Sequence, residues 1–182
     1  KVPDILVPQA RDGLADTLLA DYDQAVKDGF RFSQIVLDRL NSPRTDYFSR
    51  MGYHAAVVRP EYRRVYEALL WRAASLGVNV DEVANNIIGF YTLSGGGAAG
   101  VYWGNDALGI STMYLGAFAE YERVKNSDPV KARESKMLMD YCVGTMIHEI
   151  GHGIESLYLK VNKQKFIAEF TAQYKVEGTG PR

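Results

Sequence analysis

The stretch from Met137 to Ile150 constrains this chain more than any other. Met137, Leu138, Met139, Tyr141, Cys142, Val143, Met146, Ile147 and Ile150 leave little polar surface on any side of a helix. A helix apolar on most sides belongs inside a core, so the rest of the chain has to be arranged around this one. Asp128-Pro129 opens it with a capping residue followed by proline in the first turn. The helix is expected to run to about Leu159. Val161-Asn162-Lys163 then reads as a break, and Phe166 to Val176 as a second helix returning along the first.

Upstream, Leu14, Leu18, Tyr22 and Val26 recur every four residues and predict an amphipathic helix over 14–28. Ser33 is placed to cap a short helix ending before Pro43. Pro60 opens a stronger one, with Gly77 just past its end. Residues 1–77 thus read as a mostly helical region of unassigned role. After Gly77 the character changes. Ile87 to Leu93 is β-branched and aromatic, and residues 99–103 and 108–112 flank Gly104-Asn105-Asp106 as a hairpin. The expected fold is therefore α+β: mostly helical, with a small sheet or hairpin ahead of a long helix. Residues 78–182 form its functional part, expected as one compact unit.

Composition removes several classes. Twenty-one Lys and Arg against 22 Asp and Glu give a net charge of −1, which offers no electrostatic footprint for nucleic acid. A single cysteine, Cys142, forms no internal disulfide and reads as a small apolar core residue. No apolar run reaches the ~18–20 residues of a membrane span. Nor does the start, Lys1-Val2-Pro3-Asp4, read as a signal peptide. The chain lacks an initial Met and is expected to be a processed product or part of a larger chain or assembly. Its localisation is left open.

The chemistry is concentrated in His148-Glu149-Ile150-Gly151-His152. Two histidines four residues apart project from one helix face and can share one tetrahedral ion. Glu149, next to the first, can face a water on that ion without being a ligand and take its proton as it attacks a carbonyl. This is the H-E-x-x-H arrangement of zinc peptidases. The alternative is a pair of surface histidines.

Thr145-Met146-Ile147-His148-Glu149-Ile150-Gly151-His152-Gly153 resembles the active-site helix of the zincin metallopeptidases. Tyr102 and Ile110-Ser111-Thr112 are similar to the strand pair that supplies the zincin substrate-binding edge, which assigns Gly100, Val101, Tyr102 and Trp103 to that edge. The resemblance covers roughly residues 97–176. It implies a zinc-dependent endopeptidase acting on a peptide or protein substrate.

A third protein ligand remains to be found. Tyr158 stands where metzincins carry their third histidine, which excludes that clan. His54 lies far upstream. Glu155 sits seven residues from His148, about 10 Å along the axis, too far to share one ion. If the chain reverses near Asn162, Glu169 returns to within about 4–5 Å of His152 along paired helices. Glu169-Phe170-Thr171-Ala172-Gln173 resembles the E-F-x-A-E stretch of gluzincins, in the group that includes anthrax lethal factor and the Pro-Pro endopeptidases. The resemblance implies that Glu169 binds zinc and that Gln173, where the family has an acid, orients a ligand histidine. A register shifted by four would put Lys165 at the ligand position, which a protonated lysine cannot fill. Tyr174 is placed to polarise the scissile carbonyl, or else packs like most of the twelve tyrosines.

One weaker feature and two rival readings complete the picture. Gly95-Gly96-Gly97-Ala98-Ala99-Gly100 fits G-x-G-x-x-G, but reads as a flexible entry to the edge strand rather than a nucleotide loop. The rival to the peptidase is a metal-stabilised structural or interaction domain that does not turn over. An inactive relative without metal is the third reading.

Overall fold

The computed structural model describes residues 13–45, 48, 52–103 and 107–176, with side chains as far as residue 157. Among the described residues six α-helices and four strands alternate in blocks, giving an α+β fold. Helix α1 (Leu14–Lys27) buries Ala15, Leu18 and Tyr22, the face its four-residue period predicts. Its N-terminus is capped from a distance: Asp140 accepts the Gly13 amide at 3.1 Å and the Ala15 amide at 2.9 Å. In α2 (Gln34–Leu40) the flanking Ser33 does not cap with its side chain, because that hydroxyl donates to Asp81 at 2.6 Å. Helix α3 (Pro60–Ser75) stops at Gly77, whose φ of 90° is a left-handed conformation open to glycine. There the Val78 amide returns to the Ala73 carbonyl at 3.0 Å.

Strands β1 (His54–Val57), β2 (Gly89–Ser94), β3 (Gly100–Trp103) and β4 (Ala107–Ser111) form one sheet in the order β1-β2-β4-β3. β3 and β4 pair antiparallel, Gly100 opposite Ile110 and Trp103 opposite Ala107, as the predicted hairpin requires. Its turn, 104–106, lies outside the described residues. β2 and β4 pair in parallel and β1 and β2 antiparallel, so β3 and β1 are the two edges.

Strand β1 is an addition to the mostly helical reading of the first 77 residues. Ala55 and Ala56 are too small to produce the alternation that marks a strand. Helices α4 (Val80–Asn85) and α5 (Leu115–Val124) were likewise not expected. The main core joins α1, α3 and α5 to β2, β4 and the last helix, with Tyr62, Tyr66, Phe90, Ile110, Met146 and Ile150 all buried. It is continuous across Gly77.

Helix α6 (Pro129–Val176) is the central element, and its start is as predicted: Asp128 accepts the Lys131 amide at 3.1 Å. Two expectations about it are overturned. Its flanks are not all buried. Met139, Cys142, Val143, Met146 and Ile150 face the core, whereas Met137, Leu138 and Tyr141 are exposed on the other side. Nor does it break at 161–163: the helix runs unbroken for 48 residues, about 72 Å at 1.5 Å per residue. The physical reason lies in the sequence. From Ile154 to Glu177 there is neither glycine nor proline, and one interior asparagine costs a helix no more than about 0.7 kcal/mol.

Candidate metal centre

The two histidines lie on the outer face of α6, both exposed. Their rings are nearly perpendicular, at 86°, and their Nε2 atoms point at each other across 2.9 Å. Two imidazole nitrogens bound to one tetrahedral ion at 2.0–2.1 Å stand about 3.3 Å apart. Widening this pair by a few tenths of an ångström opens a position for zinc, so the residues fit the ion. Without an ion, the contact requires one proton between the two rings.

His152 has neighbours on its other sides. His152 Nδ1 lies 3.7 Å from a Glu155 carboxylate oxygen, on the side away from the shared Nε2 position. A carboxylate behind a ligand histidine fixes its tautomer and orientation. Spacing, which sets Glu155 aside as a ligand, gives no sign of this proximity. Tyr102 lies over the same ring, 6.3 Å between centroids and inclined by 24°.

Glu149 turns the other way and is only 6% exposed, beneath β3. It has no hydrogen-bond partner among the described residues. Burial raises its carboxyl above the usual carboxylate range, and the neighbouring His148 and His152 work against that shift. The strand comes this close because residue 100 is glycine. A Cβ there would meet Thr145 Cγ2 at 2.8 Å and Glu149 Cγ and Oε1 at 2.9 Å.

The four edge residues therefore divide by the two-residue period of a strand. Gly100 and Tyr102 face α6, over Glu149 and His152. Val101 packs instead against the second small core, with Phe48 and Tyr91, and Trp103 is exposed. A further link ties this end of the sheet to α6. The Tyr114 hydroxyl, just after β4, lies 2.9 Å from Thr145 Oγ1, one helical turn before Glu149. Tyr62 braces the same turn, donating to the Ser111 carbonyl at 2.5 Å and accepting the Tyr114 amide at 3.2 Å. Thr145 carries a sequence signal, being one turn ahead of the glutamate. Tyr114 carries none.

The remaining candidates fall elsewhere. With α6 unbroken, Glu169 lies 17 residues beyond His152, about 25 Å along the axis. The reversal that would return it does not occur. The side chains of Glu169, Gln173 and Tyr174 lie outside the described ones. Among the described residues no group of three or more His, Cys, Asp or Glu side chains is placed to hold a metal. His54 begins β1, the edge of the sheet opposite β3. The glycine run 95–97 connects β2 to β3. Cys142 is fully buried, and burial raises its thiol pKa far enough to leave it unreactive. None of the described helices is long and apolar enough to cross a membrane. No family model, curated protein or solved structure matches the chain.

Proposed function

We propose that the chain is a zinc-dependent endopeptidase of gluzincin type. The observation that carries this reading is the convergence of His148 and His152 Nε2 on one point, with the buried Glu149 beside them under an edge strand. His148 and His152 would hold the ion together with a third donor, which Glu169 of the same helix, about 25 Å away, does not supply. Zinc supplies Lewis acidity: it lowers the pKa of a water toward ~7 and polarises a carbonyl. The rest is the work of the chain's own groups. Glu149 accepts the proton of the attacking water and delivers it to the leaving amine nitrogen. Its burial favours this, because a base raised above ordinary carboxylates holds the proton better between the two steps. The substrate peptide lies extended along the outer edge of β3, where it would add a strand to the sheet. Glu155 and Tyr102 keep His152 oriented.

The absence of a third donor among the described residues favours a second reading, a metal-stabilised interaction domain without turnover. Glu149→Gln separates the two. It removes the base but not the shape, so zinc content should persist while cleavage of a peptide library falls about 10²–10⁴-fold. Wild-type protein that carries one equivalent of zinc and cleaves nothing makes the second reading correct. Protein that takes up no zinc after reconstitution refutes both.

A further inference from the structure

We propose that Tyr66 is the positioning residue behind Glu149: one enclosed water accepts a hydrogen bond from the Tyr66 hydroxyl and donates one to the Glu149 carboxylate, which fixes the direction of the base. The link itself needs no metal. What it does for turnover rests on the peptidase reading above.

Two buried polar groups carry the inference. Tyr66, in the second turn of α3, is fully buried, and its hydroxyl has no hydrogen-bond partner among the described residues. Its neighbour one turn back differs. The Tyr62 hydroxyl both donates, to the Ser111 carbonyl, and accepts, from the Tyr114 amide. Glu149 is all but enclosed and is likewise without a hydrogen bond among the described residues. An enclosed hydroxyl without a partner is costly, and a carboxylate more so. Native interiors leave few such groups, and two of them on one face of a sheet resolve each other.

The sheet places them on that face. Phe90, Leu108 and Ile110 belong to the main core, and the register carries the same face across to Gly100, which stands opposite Ile110. Tyr66 lies on Phe90 of β2, ring centroids 4.9 Å apart, and Glu149 lies beneath Gly100 of β3. Only β4 separates these two strands, so the span is about 10 Å at the usual strand spacing. From α6, Cys142 and Glu149 face the core two turns apart. Burial raises the Tyr66 hydroxyl well above the ordinary tyrosine range, and Cys142 and Glu149 raise it further, as near neighbours do.

An enclosed position with a donor on one side and an acceptor on the other suits a single water. The directions of its bonds are fixed. The tyrosine O–H donates to the water oxygen, and the water donates to a carboxylate that can only accept. Gly100 limits Glu149 by contact alone, which determines where the carboxylate cannot go. A hydrogen bond from the α3 side holds one of its oxygens and leaves the other to take a proton.

The test starts from Tyr66→Phe in protein freed of metal by chelator. The substitution removes one oxygen and keeps the ring on Phe90. With its donor gone, the carboxylate is stranded, and the melting temperature should fall by about 3–12 °C. In a Glu149→Leu background no acceptor remains. There the same substitution should raise the melting temperature or leave it unchanged, because it removes an orphaned hydroxyl. A crystal structure of the wild type should show one solvent peak within hydrogen-bond distance of both groups. With zinc restored, Tyr66→Phe should keep its metal and its KM and lose about 10–100-fold in kcat. A Tyr66→Phe protein that melts at or above wild type, or a loss that is equal in both backgrounds, would overturn the link. So would a crystal structure with no solvent between the two groups. A wild type that cleaves no peptide would instead remove the peptidase reading, and the melting comparison would still decide the link.

Discussion

Alanine in place of Gly100 probes how β3 is seated on α6. The added methyl would stand 2.8 Å from Thr145 Cγ2 and 2.9 Å from Glu149 Cγ. Carbon atoms rest at about 3.5–4.0 Å, so the strand or the glutamate must give by roughly 0.7–1 Å. Glu149 cannot simply swing aside, since the clash reaches its Cγ as well as its carboxylate. Overpacking of this size costs about 1–3 kcal/mol. At about 2–4 °C per kcal/mol for a chain of this length, the metal-free protein should melt about 2–12 °C lower. Gly116 supplies the control. It lies in α5 with nothing within 4 Å of an added Cβ, so alanine there should be neutral or raise stability by up to about 1 kcal/mol. The assay is thermal unfolding followed by circular dichroism. The Gly100 variant should also keep its zinc while losing turnover, because the histidines are untouched and the base is displaced. If Gly100→Ala melts within 1 °C of wild type (about 0.25–0.5 kcal/mol), the close approach of β3 to Glu149 is wrong.

Two further outcomes follow from contacts on α6. Asp140→Ala removes the acceptor of two backbone amides at the start of α1 and should cost about 1–2 kcal/mol, read as a lower urea midpoint at unchanged slope. Tyr102→Leu should weaken zinc binding about tenfold in a competition titration, since it removes the ring lying over His152. Trp103→Leu, on the opposite face of the same strand, should leave it unchanged.

Periodicity located the elements whose side chains are large. Leu18 and Tyr22 mark α1, Tyr62 to Ala73 mark α3, and the flanks of the glycine-containing turn mark β3 and β4. It missed β1, because two alanines in a four-residue strand carry no pattern. The parallel pairing of β2 with β4 was also out of sight. It inserts β4 between two strands that precede it, and no local signal encodes that choice. At the site, the i, i+4 histidines were legible because helix geometry alone brings them together. The seating of Glu149 was not, since it depends on Gly100, 49 positions away. The expected turn at Asn162 shows the opposite failure. A family pattern demanded a reversal that the local residues do not encode, and intrinsic helix preference decided the backbone.

The distant cap on α1 has a bearing on how the chain is made. Gly13 and Ala15 leave the ribosome 127 and 125 residues ahead of the Asp140 that binds them. At about 5–20 residues per second, that interval is roughly 6–25 s. A 14-residue helix on its own is marginal in water, but its buried face has a partner well before then: Tyr22 lies 6.2 Å from Trp71 of α3, and Asp23 pairs with Arg64. During synthesis the first helix can therefore dock on α3 once residue 75 has emerged, with its N-terminal amides uncapped until α6 arrives. The contacts with α6 are thus the last that α1 forms, so in incomplete chains ending before α6 the amides at Gly13 and Ala15 should exchange faster than those in the middle of α3.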